Sequence, residues 1–189
     1  MFKIISALLM FGLFSTPVMA APRAYEIDYG ASQIGFVYLF NGEEVKGSFP
    51  KFKGDLVLDF QNIKNSKIDV TIETRTAKGG FVFATSALRG LKVLNVKNFP
   101  TIKFTSQSAQ MSNGVAKIKG DITVRGVTRP LTLTAKFFQL QGQDPKDREN
   151  LVVQISGTIN RHDFGASGFP KMVGDTLAIT IKARINRRP

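Results

Sequence analysis

Eight segments between Gln33 and Asn186 alternate apolar with polar residues at a period of two. Ile34, Phe36, Tyr38 and Phe40 share one side, as do Phe52, Leu56, Leu58 and Phe60, and then Ile68, Val70 and Ile72. Ile102 and Phe104 continue the pattern, followed by Ala116, Ile118, Ile122 and Val124, and by Leu131, Leu133, Ala135 and Phe137. Val153, Ile155 and Ile159, then Leu177, Ile179, Ile181, Ala183 and Ile185, complete it. Successive side chains of a strand point to opposite faces, so each segment is a strand with one apolar and one polar face. The lysines, such as Lys51, Lys53, Lys103, Lys117, Lys119, Lys136 and Lys182, lie opposite the aliphatics and rings. A closed or strongly curved all-β sheet with an apolar inside and a basic outside satisfies every segment at once. Such a barrel either fills its interior or keeps a cavity for an apolar ligand.

Asn41-Gly42, Asn113-Gly114 and Arg125-Gly126 read as two-residue hairpin turns, and Pro130 falls at a strand start where its missing donor does least harm. One stretch breaks the alternation. Leu88, Leu91 and Val96, with Ala87 and Arg89 among them, give spacings of three and four within Thr85–Lys97, which predicts a short helix broken by Gly90 and stopped before Pro100. A helix across one end of a barrel acts as a plug or lid, or it covers a sheet edge. The spacing allows both.

Residues 1–20 read as a secretory leader: Lys3, an apolar stretch from Ile4 to Phe14, and Val18-Met19-Ala20 before the cleavage point. The apolar stretch is too short to span a bilayer. The expectation is a periplasmic or extracellular protein with one domain over residues 21–189. The formal charge of the whole chain is +12, of which Lys3 supplies one. The absence of cysteine removes disulfides, thiol nucleophiles and Cys-ligated zinc.

Enzyme chemistry finds few candidates. His162 is the single histidine, so no multi-histidine metal site exists, and Gly165-Ala166-Ser167-Gly168-Phe169 lacks the last glycine of a nucleophile elbow. Asp55 with Asp59, and Asp69 with Glu73, sit one ladder step apart on the outward face and read as solvated. No glycine-rich loop joins a strand to a helix, and no cofactor is expected. The remaining enzymatic reading is a polar cluster of Arg161, His162 and Asp163 acting on a lipid. Nucleic acid is disfavoured, because the aromatics lie opposite the basic residues. The charge either keeps the protein soluble or draws it to an anionic membrane surface. The chain has 16 phenylalanines and no tryptophan. Their number on the inward face suits a slot for a long acyl or prenyl chain, and it also suits a plain core.

Several motifs resemble the YceI-like family of exported lipid-binding proteins. They are Tyr25-Glu26-Ile27-Asp28, Val45-Lys46-Gly47-Ser48-Phe49, Phe52-Lys53-Gly54-Asp55-Leu56 and Phe99-Pro100-Thr101-Ile102-Lys103-Phe104. Gly120 to Leu131, with its Gly-Val-Thr-Arg-Pro-Leu ending, Asn160-Arg161-His162-Asp163-Phe164-Gly165 and Val173-Gly174-Asp175 complete the set. The resemblance spans about residues 24–185. It implies a lipocalin-like, eight-stranded antiparallel barrel with an elongated cavity, no established enzymatic activity, and often a homodimer. It further implies a polyisoprenoid, a quinone tail or a fatty acyl or amide chain as ligand. Ala31-Ser32 stands where the family often has His-Ser, and Ala84-Thr85-Ser86-Ala87-Leu88 where it often has Arg-Asp-x-His-Leu. Both changes make the lid region less polar.

The ligand is expected to touch Phe36, Tyr38, Phe52, Leu56, Leu58, Phe83, Leu88, Phe104, Ile118, Phe137 and Ile179, with Tyr38 offering a hydroxyl. Arg161 either meets the ligand head or pairs with Asp163 to fix the loop that follows. The alternative function is a filled barrel that docks to a membrane or a protein through its basic surface.

Overall fold

The computed structural model describes residues 22–189; the expected leader lies outside the described residues. Ten strand segments build eight staves. β1 (Arg23–Ile27) and β2 (Gln33–Phe40) lie end to end along one side of β10 (Thr176–Arg187), with Ile27 opposite Ile185 and Ile34 opposite Ile181. β3 (Glu43–Phe49) pairs with β2, and β4 (Phe52–Leu58) pairs with β1. Each end-to-end couple is therefore one stave with a kink, at residues 28–32 or 50–51. β5 (Lys67–Glu73), β6 (Thr101–Ser112), β7 (Val115–Val124), β8 (Val127–Gln139) and β9 (Asn150–Asn160) follow in ladder order. The β1–β10 and β9–β10 ladders close an eight-stave antiparallel barrel, as expected.

All three hairpin dipeptides turn with both residues at positive φ: 51° and 87° at Asn41-Gly42, 49° and 74° at Asn113-Gly114, 51° and 75° at Arg125-Gly126. This geometry matches the strand twist and selects asparagine and glycine.

Two strand segments were not among the eight. β1 is only five residues long. In β3 the inward positions are Val45, Gly47 and Phe49, and the glycine erases the apolar signal. Packing dictates that glycine: a Cβ at Gly47 would stand 2.1 Å from Phe36 Cζ, so the Phe36 ring fills the place a side chain would take. β6 runs seven residues past its legible part. A register shift between Ser106 and Ser108 reverses the phase of its alternation, so Ala109 is buried where the earlier pattern puts a polar residue.

The helix is α1 (Val82–Arg89), which starts three residues before the expected start and ends at Gly90. Residues 91–99 continue as turns. The chain therefore turns Leu91 out to solvent, 72% exposed, and buries Leu94 instead.

Asp59 is a correction as well. It is 5% exposed, not solvated. Its carboxylate accepts hydrogen bonds from the backbone N–H groups of Gln61 and Asn62 and from the Asn65 side chain, building the β4–β5 turn. These bonds, the Asn62 one foremost, hold its pKa below the usual carboxylate range. The charged form is thus favoured on folding, and the stabilisation is complete above the usual range and lost as pH falls through the lowered value. The unfolding temperature of the native protein should exceed that of Asp59→Asn by a constant margin above about pH 5, and the margin should shrink below about pH 4. Thermal melts across pH test this.

The end of the barrel where Arg23, Leu58 and Arg187 lie is its foot. Tyr25, Phe60 and Phe137 stack edge to face there, with centroids 6.2 and 5.2 Å apart, and the Arg148 guanidinium lies 5.4 Å from the Phe60 ring. The Tyr25 hydroxyl donates to the Arg148 carbonyl at 2.7 Å. At the opposite end sit α1, residues 90–99 and the loop 161–175.

Candidate functional site

The inward side chains do not fill the barrel. They enclose a cavity of about 260 Å³ that touches every stave, from Phe137 and Val153 toward the foot to Phe83, Leu88 and Phe169 under the lid. The structure brings together all twelve side chains named from the sequence on this wall: Phe36, Tyr38, Phe52, Leu56, Leu58, Phe83, Leu88, Phe104, Ile118, Phe137, Ile179 and Arg161. Among the described residues, the polar side chains on the wall are Ser32, Tyr38 and Arg161.

Each of the three is already committed within the protein. Ser32 Oγ accepts from the Arg184 N–H at 2.9 Å and faces its carbonyl at 3.4 Å. The Tyr38 hydroxyl donates to the Gly79 carbonyl at 2.7 Å, and burial pushes its pKa up. The expected free hydroxyl is therefore spent on the lid, although the ring stays on the wall. Arg161, 5% exposed, gives four N–H groups to carbonyls: Nε to Gly174 at 3.0 Å, one terminal nitrogen to Ala166 and Gly168 at 2.7 Å each, and the other to Val173 at 3.0 Å. Its ion partner is Asp175, at 3.6 Å, and not Asp163, which is exposed. Asp175 also meets His162 Nε2 at 2.7 Å. Of Arg161, His162 and Asp163, only Arg161 reaches the tunnel wall.

The lid has two halves. The first is α1 with residues 90–99, whose Ala84, Ala87, Leu88, Val93 and Leu94 face the tunnel. α1 therefore caps the barrel's end, which decides between the two sequence readings in favour of the lid. A short chain of hydrogen bonds clips it down. Tyr38 donates to the Gly79 carbonyl, and the Gly79 N–H donates to Thr85 Oγ1 at 2.9 Å. Arg89 donates to the Ala77 carbonyl, and Arg125 donates to Leu91 and Val93 while lying 5.8 Å from the Phe99 ring. Tyr38→Phe leaves the Gly79 carbonyl without its partner, so a loss of about 1–2 kcal/mol in chemical denaturation is expected, with the barrel intact.

The second half is the loop 161–175 that Arg161 organises. Gly168 donates to the Lys92 carbonyl at 2.9 Å, and Phe169 meets Phe83 edge to face at 6.1 Å, so the two halves touch along a seam. Phe169 sits at φ 57°, a region that costs a bulky residue about 1–2 kcal/mol. Its carbonyl accepts from both Met172 and Val173, which holds the strained turn in place. Phe164, Ala166, Gly168 and Phe169 also line the tunnel, although nothing in the sequence marks them as inward. They lie in a loop, where no period marks a face; the Asn160–Gly165 motif was their single signal.

Comparison with known proteins agrees with this geometry. The model of the YceI-like domain matches residues 25–185. This chain belongs to the YceI-like family. Protein YceI of Salmonella arizonae is 31% identical over 138 residues, covering 73% of this chain and 69% of the relative. Among solved structures, BcnA of Burkholderia cenocepacia superposes with a TM-score of 0.76 at 16% identity, over 84% of this chain and 99% of BcnA. A polyisoprenoid binding domain from Saccharophagus degradans, implicated in plant cell wall breakdown, superposes with a TM-score of 0.63 at 12% identity, over 88% of this chain and 99% of that domain. At these identities the structural likenesses establish the fold.

Proposed function

We propose that this YceI-like protein is exported through its leader to the periplasm and holds one long-chain amphiphile in the tunnel. A polyisoprenoid, a quinone tail or a fatty acyl or amide chain fits the wall chemistry, for transport, storage or sequestration. The observation that carries this reading is a continuous apolar wall whose three polar side chains are all engaged within the protein. Binding then comes from burial of the chain, about 25 cal/mol per Å² removed from water. The polyisoprenoid named for the Saccharophagus degradans domain is one member of that ligand class. Arg161 serves the ligand indirectly, by shaping the half of the lid that closes over it. The open cavity favours this reading over a filled barrel.

The test is mass spectrometry of the purified protein, under native conditions and after solvent extraction. A stoichiometric long-chain molecule is the expected result, and the native mass also gives the oligomeric state. A protein that arrives empty, and takes up nothing from a panel of prenyl and acyl lipids, overturns the reading.

A further inference from the structure

Among the described residues, eight large apolar side chains are prominently exposed. Tyr29, Met111 and Phe138 stand apart from the lid, but Leu39, Phe81, Val82, Phe83 and Leu91 gather around it. Val82 is 89% exposed and Leu91 is 72% exposed, and neither lines the tunnel. Phe83 does both: it is 55% exposed and its ring reaches the tunnel wall at the seam with Phe169. Phe81 packs on Phe40 at 5.3 Å, which joins the hairpin tip to the same patch. The patch is thus continuous with the tunnel interior. Monomeric soluble proteins seldom gather such a surface without a partner for it.

The lid segment that carries most of this patch is basic and has no acid of its own. From Thr74 to Gly120 the sequence contains no Asp or Glu. The lid segment, residues 74–100, carries Arg75, Lys78, Arg89, Lys92 and Lys97. Arg89 is used on the Ala77 carbonyl; Arg75, Lys78, Lys92 and Lys97 are exposed, and among the described residues none of them is in an ion pair. Acids do occur at the rim, at Glu43 and Glu44 in the hairpin and at Asp163 and Asp175 in the second half of the lid, with Asp175 held by Arg161 and His162. Cations flanking exposed aliphatic and aromatic side chains on a short helix and its following turn are the pattern that seats a protein in the interface of an anionic bilayer.

We infer that the lid end docks on anionic membrane, with Val82, Leu91 and Phe83 entering the head-group region and the lid lysines meeting lipid phosphates. This rests on the tunnel reading and adds a place of exchange: a chain leaving the bilayer reaches the Phe83–Phe169 seam without crossing water. A bilayer is favoured over a protein partner because the patch lies at the mouth of an apolar tunnel whose cargo belongs to the bilayer.

Flotation of the purified protein with vesicles tests it. Binding is expected to vesicles containing phosphatidylglycerol and not to pure phosphatidylcholine, and to weaken with salt. The double variant Val82→Glu/Leu91→Glu should partition about tenfold or more weaker. The foot variant Met111→Glu/Phe138→Glu adds the same charge and should bind within about twofold of the native protein. If the lid variant binds as well as the native protein, or the native protein binds neither vesicle, or the two variants lose binding equally, the lid is not the docking face. Solvent extraction of the same samples separates this from the tunnel: a lid variant that keeps its long-chain molecule and no longer binds vesicles supports both readings. A native protein that carries the molecule and ignores vesicles overturns the docking alone.

Discussion

Replacing Arg161 with alanine will cost about 4 kcal/mol and lower the unfolding temperature by about 8–16 °C. The guanidinium holds four carbonyls in a single loop, those of Ala166, Gly168, Val173 and Gly174, and it is 5% exposed. Removing it leaves several buried acceptors without donors at once, and each unsatisfied group costs about 1–3 kcal/mol where water cannot reach it. The loop also holds Phe169 in its left-handed conformation, so the seam with Phe83 should come apart. Lysine will not rescue the variant, because an ammonium cannot direct four N–H groups along the fixed fork that these carbonyls occupy. Circular dichroism melts of the native protein, Arg161→Ala and Arg161→Lys measure this. A fall of under about 2 °C would show that the loop holds itself together without the guanidinium.

The second large effect concerns cargo. Phe104→Lys will abolish retention of the long-chain molecule while leaving the barrel folded. Phe104 stands on β6, opposite Val70 on β5 and Ile122 on β7, with its ring on the tunnel wall above Gly120. An ammonium there stays hydrated in an empty tunnel, but it must lose that water when a hydrocarbon chain enters. The penalty of several kcal/mol corresponds to a loss of more than about 100-fold in affinity. Phe104→Leu keeps the wall apolar and should retain the molecule. Extraction and mass spectrometry read retention, and far-UV circular dichroism reads the fold. A lysine variant that carries the molecule at native stoichiometry would remove the tunnel from consideration as the binding site.

These two residues show where the sequence was legible. Phe104 lies in a clean alternation, and such alternation identifies the inward face of every regular stave. Strand β3 was hidden because Gly47 yields its volume to the Phe36 ring, so an inward position carries no apolar residue. The second half of β6 was hidden by the register shift after Ser106, which moves the inward face by one residue. Asp59 looked solvated because it follows the outward phase of β4, yet it caps a turn with its own carboxylate. Arg161 belongs to a recognisable motif, but its partners are carbonyls up to 13 residues away in a loop without a period. A side chain's position along the sequence does not announce which backbone carbonyls will converge on it. Leu91 and Leu94 exchanged places for a similar reason: the helix ends at Arg89, and the turn that follows obeys its own geometry.

The commitment of Ser32, Tyr38 and Arg161 to partners inside the protein reaches beyond stability. With their donors turned to partners inside the protein, these three side chains leave an entering molecule an almost wholly apolar wall. Under the proposed function such a wall would sort by girth and contour length, as a gauge sorts wire, and a bare hydrocarbon would meet the same surface as the tail of a quinone or an amide. Any preference among head groups would then be written at the seam between Phe83 and Phe169, where the gauge ends.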